Sequence, residues 1–192
     1  MEEFFYDVTK IDTEHFSLWY SQMSEERKQR CDRYQKETAK KLCIAADHLM
    51  RTCLAKNLGL SMEEIKIQVS PNGKPYLDEN PVFFSISHSY PLVVCAISET
   101  PVGVDIEKIR PISGNPQRFC TEQECEYLNN AKNKDEYNER LITLWTKKEA
   151  LFKLFGALPR QDLKTDTINL PQSILVSTRK IDDFIFCLAE KV

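Results

Sequence analysis

The chain has 192 residues, of which 42% are apolar and 29% are charged, and its formal net charge is −3. This balance indicates a soluble, cytoplasmic protein of one compact domain or two small lobes, and it argues against a basic, nucleic-acid-binding body. No apolar run approaches the ~18 residues of a membrane span, and the acidic residues 1–5 lack the features of a signal peptide.

The first part of the chain predicts a short strand followed by helices. Residues 3–8 form the strand and residues 12–22 a short helix. A longer helix, capped at its start by Ser24, runs from there to about Asn57. Apolar residues recur along this longer helix with helical spacing. Gly59 follows it as a plausible C-cap, because glycine readily adopts the left-handed conformation that ends many helices.

The middle of the chain predicts strands. Residues 65–70 alternate between apolar and polar, and residues 71–75 have strong turn chemistry with two prolines and a glycine. Three further strands are predicted at residues 82–88, 92–98 and 102–107. Because the segments between them are short, they predict a three-strand antiparallel meander.

Helices return in the second half, and strands end it. Residues 121–124 read T-E-Q-E, a capping-box pattern that opens a helix, and a second helix covers residues 139–155. Segments near residues 168–177 and 184–190 predict the final strands. This order of elements predicts an α+β fold with a largely antiparallel sheet and, if the chain has a boundary, places it near residues 107–116. The seven scattered cysteines are typical of buried apolar side chains in a reducing compartment.

Two carboxylates share one face of the strand at residues 102–107. Asp105 and Glu107 are two residues apart, so their side chains point the same way. Val104 and Ile106 point to the other face, towards a core. Two carboxylates about 4 Å apart repel by roughly 4 kcal/mol at an effective dielectric near 20. The pair therefore either faces open water or holds a cation, and Mg²⁺ prefers such oxygen ligands.

Glu149 is the third acidic candidate. On the predicted helix it lies about 40° from Trp145, at the edge of an apolar stripe. A carboxylate there needs a partner, because an unpaired buried charge costs several kcal/mol. One candidate is Lys153, one turn later, and the other is a metal shared with Asp105 and Glu107. The spacing leaves open whether these acids form a metal site or an exposed strand face and a surface ion pair.

Other polar side chains supply further candidates, each with a structural alternative. His88 ends a strand beside serines, where it either donates to a phosphate or lies on the surface. Lys74, in a Gly-Lys-Pro turn, is either a phosphate contact or solvated. The stretch from Arg27 to Lys41 holds seven basic and two acidic residues, so it either receives a phosphate or an acidic protein or forms a solvated helix face. Glu124 has a structural task available in the capping box.

Five short segments follow one another in a distinctive order and spacing. They are G-K-P (73–75), F-S-I-S-H-S (84–89), V-G-V-D-I-E (102–107), R-F-C-T-E-Q-E (118–124) and W-T-K-K-E-A-L-F-K (145–153). Together they resemble the 4′-phosphopantetheinyl transferases of the surfactin-synthetase-activating type. Each segment alone is a weak signal, whereas five in register are a strong one. The resemblance covers about residues 73–153, and the basic stretch at 25–41 is compatible with the N-terminal lobe of that family.

The resemblance implies an enzyme with two lobes. Family members of this length have two similar α+β lobes, related by a pseudo-two-fold axis, with the coenzyme in the cleft between them; here the lobes are residues 1–104 and 105–192. The implied reaction is the Mg²⁺-dependent transfer of the 4′-phosphopantetheine group of coenzyme A to a serine of an acyl or peptidyl carrier protein, with release of adenosine 3′,5′-bisphosphate. A cytoplasmic monomer that binds neither nucleic acid nor membrane is expected.

The resemblance also implies roles for individual residues. Asp105, Glu107 and Glu149 hold the Mg²⁺ ion, and either Glu149 or Glu124 is the general base for the carrier serine. Lys153 neutralises charge on the leaving bisphosphate. The implied contacts to the coenzyme are His88 and Lys153 on phosphate oxygens with Ser87 beside them, Lys74 by the nucleotide, and Arg27, Arg30 and Lys40 or Lys41 on the 3′-phosphate.

The sequence departs from the family pattern in two places. After Lys153 it reads L-F-G-A-L-P-R (154–160), where the family has a Gly-Lys/Thr-Gly-Leu turn. The C-terminal lobe is also short, as if one hairpin were missing from its sheet. The altered turn motivates an alternative from another class, a coenzyme A- or carrier-protein-binding module without catalysis. Among enzymes, the alternative is another Mg²⁺-dependent phosphoryl transferase or nuclease.

Overall fold

Helices and strands alternate in two successive groups. The computed structural model describes residues 1–71, 73–78, 82–112, 114–156 and 165–192. In these ranges the elements are β1 (Glu2–Asp7), α1 (Thr13–Gln22), α2 (Glu25–Asp32), α3 (Glu37–Leu58), β2 (Ile67–Val69), β3 (Pro75–Leu77), β4 (Phe83–Ser89), β5 (Leu92–Ser98), β6 (Val102–Lys108), α4 (Glu122–Asn129), α5 (Lys134–Phe155), β7 (Ile174–Ile181) and β8 (Phe184–Lys191). Short 3₁₀ turns lie at Val8–Lys10 and Pro116–Arg118.

Local capping residues set most helix ends. The Ser24 side chain accepts a hydrogen bond from the backbone N–H of Arg27 at the start of α2, and Thr121 and Glu124 form the predicted capping box of α4. At the other end, α3 stops at Gly59, which has a left-handed φ of 68°. The equivalent glycine of α5, Gly156, has a φ of 75°. The predicted caps at Ser24, Thr121 and Gly59 are confirmed, whereas the cap at Gly156 was not predicted. Helix α5 begins five residues earlier than residue 139.

The two groups of elements follow the same path and form two similar lobes. In the first lobe the strands lie in the order β1-β5-β4, and in the second in the order β6-β8-β7. Each lobe thus consists of a first strand, helices and an antiparallel hairpin whose last strand pairs with the first. The first lobe also carries the small hairpin β2–β3. The prediction of an α+β fold with two similar lobes is confirmed.

The two sheets face each other across a shared apolar core, with one long helix on each outer face. The side chains between the sheets come from β5, β6 and β8: Val94, Ala96, Val102, Val104, Ile106, Phe184, Phe186 and Leu188. Helix α3 packs on the other face of the first sheet, around Leu54 and Ile97. Helix α5 packs in the same way on the second sheet, around Leu151 and Ala189. The molecule is therefore layered helix, sheet, sheet, helix.

Gly103 allows β6 and α5 to pack backbone against backbone. A Cβ atom at this position would lie 2.0 Å from the carbonyl oxygen of Ala150 and 2.4 Å from the backbone nitrogen of Leu154. Because side chains alternate along a strand, Asp105 and Glu107 share the face of Gly103 and point towards α5. The missing side chain therefore sets how close the acidic strand lies to the helix that carries Glu149.

The prediction of one helix from Ser24 to Asn57 is wrong, because the chain turns back between α2 and α3. Arg27 and Asp47 are 20 residues apart, yet the Arg27 Nε lies 3.1 Å from Asp47 Oδ1. In one continuous helix they would be about 30 Å apart. The stretch contains neither glycine nor proline. The break follows from tertiary packing instead, because Cys31 and Tyr34 pack into the core of the first lobe.

The predicted three-strand meander is also wrong, because β6 leaves the first sheet. It pairs with β8 in the second sheet, from Val102 opposite Glu190 to Lys108 opposite Phe184. Its other edge lies beside β4, where serine side chains take the place of backbone partners. The backbone N–H of Val104 donates to Ser85 Oγ at 3.0 Å. The N–H of Lys108 donates to Ser89 Oγ at 3.1 Å, so hydroxyls join the lobes along this edge.

Smaller differences concern the strands near the ends of the sheets. The strand predicted at residues 168–177 lies at Ile174–Ile181, and the short strand β3 was not predicted. Residues 157–160 of the altered turn lie outside the described residues. All seven cysteines are free, and six of them are buried. In the part of the chain that the structure describes, no helix has the length and apolar character needed to cross a bilayer.

Candidate functional site

A cavity of about 740 Å³ lies between the two lobes. The first lobe lines it with α2, α3, the hairpin β2–β3 and β4, and the second lobe lines it with β6 and the last turns of α5. Most of its charged wall is cationic: Arg27, Arg30, Arg33, Arg51, Lys74 and Lys153. A cavity of this size with converging cations fits a phosphorylated ligand.

Asp105 is the buried carboxylate of this cavity. Its side chain is only 5% exposed. The oxygen Oδ1 accepts hydrogen bonds from Ser87 Oγ at 2.6 Å and from Lys153 Nζ at 2.7 Å. The second oxygen, Oδ2, is buried and has no hydrogen-bond partner among the described residues. Because an unsatisfied buried carboxylate oxygen is costly, this atom would be stabilised by a cation or by a hydrogen-bond donor.

Glu107 and Glu149 are close enough to Asp105 for their charges to interact, and we call the three the carboxylate trio. Burial raises the pKa of Glu149, and the negative charges of Asp105 and Glu107 raise it further against the opposing charge of Lys153. Burial also raises the pKa of Glu107, with Asp105 adding to the effect, while Arg110 and a hydrogen bond from Trp145 counteract it. Repelling acids held together in this way are a frequent mark of functional sites.

The carboxylate trio fits a divalent cation in its chemistry, although its members are not drawn together as ligands. Among the described residues, no three His, Cys, Asp or Glu side chains are gathered closely enough to hold a metal as they stand. The trio offers carboxylate oxygens alone, which suit Mg²⁺. The unpaired Asp105 Oδ2 is one oxygen ready for it. Both possible partners of Glu149, a metal ion and Lys153, thus retain support, because the charge of Lys153 lowers the pKa of Glu149.

His88 and Lys153 face the cavity next to Asp105. The ring of His88 is open to the cavity, yet the protein around it lowers its pKa by burial. The charges of Lys153 and Arg30 lower this pKa further, and Asp105 opposes them. Both observations hold because the ring lies in a concave wall, where it contacts water while protein surrounds it on the other sides. His88 is therefore largely neutral near pH 7.

Lys74 fastens the turn of the β2–β3 hairpin to the second lobe. Its ammonium group donates to the backbone carbonyl of Lys153 and approaches that of Val102 at 3.5 Å. The Lys153 carbonyl belongs to the last turn of α5, where carbonyls have no helical partner. Burial lowers the pKa of Lys74. The residue lines the cavity, as a nucleotide contact requires, but part of its bonding capacity holds the lobes together.

The cationic wall formed by α2 and α3, which we call the arginine wall, consists of Arg27, Arg30, Arg33 and Arg51. Two of its members bind the buried carboxylate of Asp47, Arg27 at 3.1 Å and Arg51 at 3.1 Å. Asp47 and Arg51 were not among the residues that the sequence predicted for the site. An acidic residue inside an apolar helix face with an arginine one turn later would have been the signal, because such a charge needs a partner.

Lys40 and Lys41 lie apart from this wall. The residues that line the cavity include Arg27 and Arg30 but neither of these two lysines. Lys41 forms an ion pair with Glu37 at 3.2 Å, one turn earlier on α3. The structure therefore brings together Arg27, Arg30, Lys74, Ser87, His88, Asp105 and Lys153 in one cavity, with Glu107 and Glu149 coupled by charge to Asp105.

Glu124 lies outside the cavity in a closed polar network. Its side chain is fully buried and forms an ion pair with Lys148 at 2.8 Å. It also accepts hydrogen bonds from the backbone N–H of Thr121 and from the N–H and hydroxyl of Thr167. Burial pushes the pKa of Glu124 upwards, but the bonds from Lys148, Thr121 and Thr167 outweigh it and lower the pKa. These bonds occupy both oxygens of the Glu124 carboxylate within the second lobe.

Comparison with known protein families covers both lobes. A family model described as the 4′-phosphopantetheinyl transferase superfamily matches residues 101–188. A second, described as the N-terminal part of 4′-phosphopantetheinyl transferase, matches residues 10–100. The two models meet between the strands β5 and β6, and the division into residues 1–104 and 105–192 stays a prediction.

Three curated relatives illustrate the similarity. The chain is 32% identical over 180 residues to 4′-phosphopantetheinyl transferase Sfp of Bacillus subtilis (strain 168). The matched region covers 92% of this chain and 80% of that protein. It is 34% identical over 148 residues to 4′-phosphopantetheinyl transferase gsp of Aneurinibacillus migulanus, with 77% and 62% covered. Identity to 4′-phosphopantetheinyl transferase HetI of Nostoc sp. is 29% over 143 residues, with 70% and 60% covered.

Proposed function

Because this chain belongs to the 4′-phosphopantetheinyl transferase family, we propose that it moves the 4′-phosphopantetheine group of coenzyme A to a serine of an acyl or peptidyl carrier protein. Adenosine 3′,5′-bisphosphate is the second product. The observation that carries this proposal is the cavity that joins an arginine wall to Asp105 of the carboxylate trio. Such a cavity offers cations for the phosphates of the nucleotide and an acid that would hold a metal ion against the reacting diphosphate.

The reaction requires one bond to form and one to break. The carrier serine oxygen attacks the phosphorus on the pantetheine side of the diphosphate, a new P–O bond forms, and the P–O bond to the bisphosphate breaks. The serine proton goes to a base, and we assign this role to Glu149, because the carboxylate of Glu124 is already bonded to Lys148, Thr121 and Thr167. The proton transfer contributes roughly 10²–10⁴ in rate.

Asp105, Glu107 and Glu149 are the residues that would hold Mg²⁺. When bound there, the ion supplies positive charge to the diphosphate oxygens. Ser87 fixes Asp105 for this task through its 2.6 Å hydrogen bond. Lys153, already bonded to Asp105, places an ammonium group where the leaving bisphosphate gathers negative charge.

We assign the remaining residues by their positions. His88 and Lys74 contact the coenzyme from the cavity wall, and Arg27 and Arg30 meet its 3′-phosphate. The resemblance also assigns Lys40 or Lys41 to that phosphate, and the position of Arg33 in the wall makes it a better candidate. Glu124 acts as a positioning residue, since its bonds to Lys148 fix the helix that carries Glu149. A monomeric state and a cytoplasmic location stay predictions.

The decisive experiment incubates the protein with coenzyme A, Mg²⁺ and a panel of apo carrier proteins from fatty-acid, polyketide and peptide synthesis, with intact mass as the measurement. We expect one carrier or more to gain the mass of one phosphopantetheine group, and chelation of the metal to stop the gain. Asp105→Asn and Glu149→Gln should abolish it. Glu139→Gln is the matched control on α5, because Glu139 forms an exposed ion pair with Lys180.

Three outcomes would count against the proposal. Unchanged modification by Asp105→Asn would refute the role of the trio. Coenzyme A binding without transfer to any carrier would favour the non-catalytic binding module. Turnover of a diphosphate or a nucleic acid without a carrier would favour another Mg²⁺-dependent enzyme.

A further inference from the structure

Asp47 is a buried charge with a partner on each of its oxygens. Its side chain lies on α3 and is 2% exposed. Oδ1 accepts a hydrogen bond from Arg27 Nε on α2, and Oδ2 accepts one from Arg51 Nε one turn later on α3, both at 3.1 Å. One carboxylate thus orients two guanidinium groups, and all three residues line the cavity.

Arg51 is fixed a second time, by backbone carbonyls. Its Nη1 donates to the carbonyl of Ile65 at 3.1 Å and is 3.4 Å from that of Met62. These two residues precede β2, whose Ile67 and Val69 also line the cavity. Arg51 therefore uses its N–H groups on contacts within the protein. Asp47 links Arg51 to Arg27, so the three residues connect α2, α3 and the segment that precedes β2.

Arg27 is committed on one edge only. Its Nε binds Asp47, while its two terminal nitrogens have no acceptor among the described residues, and its side chain is 28% exposed towards the cavity. A guanidinium group held at Nε presents its terminal N–H groups in one plane, and that fork matches the oxygens of a phosphate. Arg30 and Arg33 line the same part of the cavity.

We propose that Asp47 is a positioning residue for phosphate recognition: it holds Arg27 so that its terminal N–H groups meet the 3′-phosphate of coenzyme A. This inference rests on the proposed function and adds a residue that touches no substrate. The four cations of the arginine wall outnumber Asp47 and Glu26, the two acids that line the cavity beside them, and so leave excess positive charge. A phosphate dianion offsets this excess, whereas a ligand without that phosphate gains nothing from the arrangement.

A purely structural role for Asp47 makes a different prediction. If the carboxylate only fastens α2 to α3, its loss lowers thermal stability and weakens every ligand of the cavity by the same factor. If it positions Arg27, the loss is selective for the ligand that carries the 3′-phosphate. The comparison of coenzyme A with 3′-dephospho-coenzyme A separates the two roles.

The test measures binding of both compounds to the full-length protein by calorimetry. For Asp47→Asn, which keeps the size and one acceptor oxygen, we expect affinity for coenzyme A to fall about tenfold and affinity for 3′-dephospho-coenzyme A to change less than about twofold. In the transfer assay KM for coenzyme A should rise with kcat little changed. Arg27→Gln should behave alike, and the double variant should be no weaker than either single one.

Two controls complete the design. Asp32→Asn removes a carboxylate of the same type from α2, where it accepts a bond from the Tyr20 hydroxyl, and it should leave both affinities unchanged. If Asp47→Asn fails to fold, Arg27→Lys keeps the charge but loses the planar fork, and it should show the same selective loss.

Equal weakening of both compounds, or additive losses in the double variant, would overturn the role of Asp47 and leave the proposed function intact. A wild-type protein that binds neither compound would overturn the proposed function itself, and the inference with it.

Discussion

The two lobes use the same structural device for different purposes. Helices α3 and α5 both have 22 residues and end at a left-handed glycine. Eight residues before that glycine each carries a cation, Arg51 in the first lobe and Lys148 in the second. Each cation binds a buried carboxylate and a backbone carbonyl in the segment that follows its helix. In both lobes the device ties the helix to its neighbours.

The lobes differ in what else the carboxylate binds. Asp47 extends the network to Arg27 in the cavity wall, whereas Glu124 completes its bonds with Thr121 and Thr167 away from the cavity. The first strands differ in parallel, since β6 carries Gly103 and two acids towards its helix while β1 contains no glycine. Under the proposed function, the first lobe supplies cations for binding and the second supplies acids for chemistry. The two lobes therefore share the long helix and its cation–carboxylate pair, and they differ in the charged side chains near the cavity.

The largest effect is expected from breaking the closed network of the second lobe. Lys148→Met leaves the fully buried Glu124 without its ion-pair partner, so we expect the free energy of unfolding to fall by about 3–5 kcal/mol. Denaturant titration measures this. Adding Glu124→Gln should recover part of the loss, because it removes the unpaired charge. A loss in the single variant below about 1 kcal/mol would contradict the structural role of this pair.

Gly103→Ala should have the next largest effect, because the added methyl group meets backbone atoms that cannot rotate away. We expect a destabilisation of about 3 kcal/mol and a loss of transfer activity of about 10²-fold, since β6 and α5 carry the carboxylate trio. Gly59→Ala is the control from the first lobe. Its Cβ meets nothing within 4 Å, and its positive φ costs about 1 kcal/mol, so activity should persist. Full activity in Gly103→Ala would refute the packing argument.

The hydrogen bonds from β6 to the serines of β4, which we call the serine seam, should contribute less to stability. Ser85→Ala removes the acceptor of the buried Val104 N–H, and we expect a loss of about 1–2 kcal/mol in unfolding free energy. Ser89→Ala, which frees the exposed N–H of Lys108, should cost less than half of that. Thermal unfolding of the two variants measures the difference. Equal losses of unfolding free energy in the two variants would mean that the buried bond to Ser85 stabilises the protein no more than the exposed bond to Ser89.

The smallest effect has the opposite sign. Because burial and neighbouring acids raise the pKa of Glu149 above its ordinary value of 4.5, its ionised form destabilises the metal-free protein. The folded protein is therefore more stable when Glu149 is protonated, and it loses that stability as pH rises through the raised pKa. Near pH 7, Glu149→Gln should melt at a higher temperature than wild type. The gap should close below pH 4.5 and when MgCl₂ is added. A wild type that melts above the variant without divalent ions would contradict this.

Local signals in the sequence predicted elements and faces well. The alternation along β6 correctly separated Asp105 and Glu107 from the apolar residues between them, and the cap residues Ser24, Thr121 and Gly59 marked helix ends. These features succeed because each depends on a few neighbouring residues whose backbone preference is strong.

Features that depend on distant partners were not predictable in this way. The turn between α2 and α3 follows from the burial of Cys31 and Tyr34, with no glycine or proline to announce it. The departure of β6 to the second sheet depends on pairing with β8, some 80 residues later. For the same reason the role of Asp47 could not be predicted, since a single acid in an apolar helix face gains its significance from arginines that only the fold brings to it.

The serine seam has a consequence for how the cleft responds to its occupants. Main-chain ladders hold two strands at a fixed spacing of about 4.8 Å, whereas a hydroxyl reaches its partner through one rotatable bond. The joint between β4 and β6 can therefore widen or tighten slightly by side-chain rotation while both sheets keep their internal geometry. We therefore expect a ligand that contacts both walls of the cavity to change the spacing of this joint more readily than the packing inside either sheet.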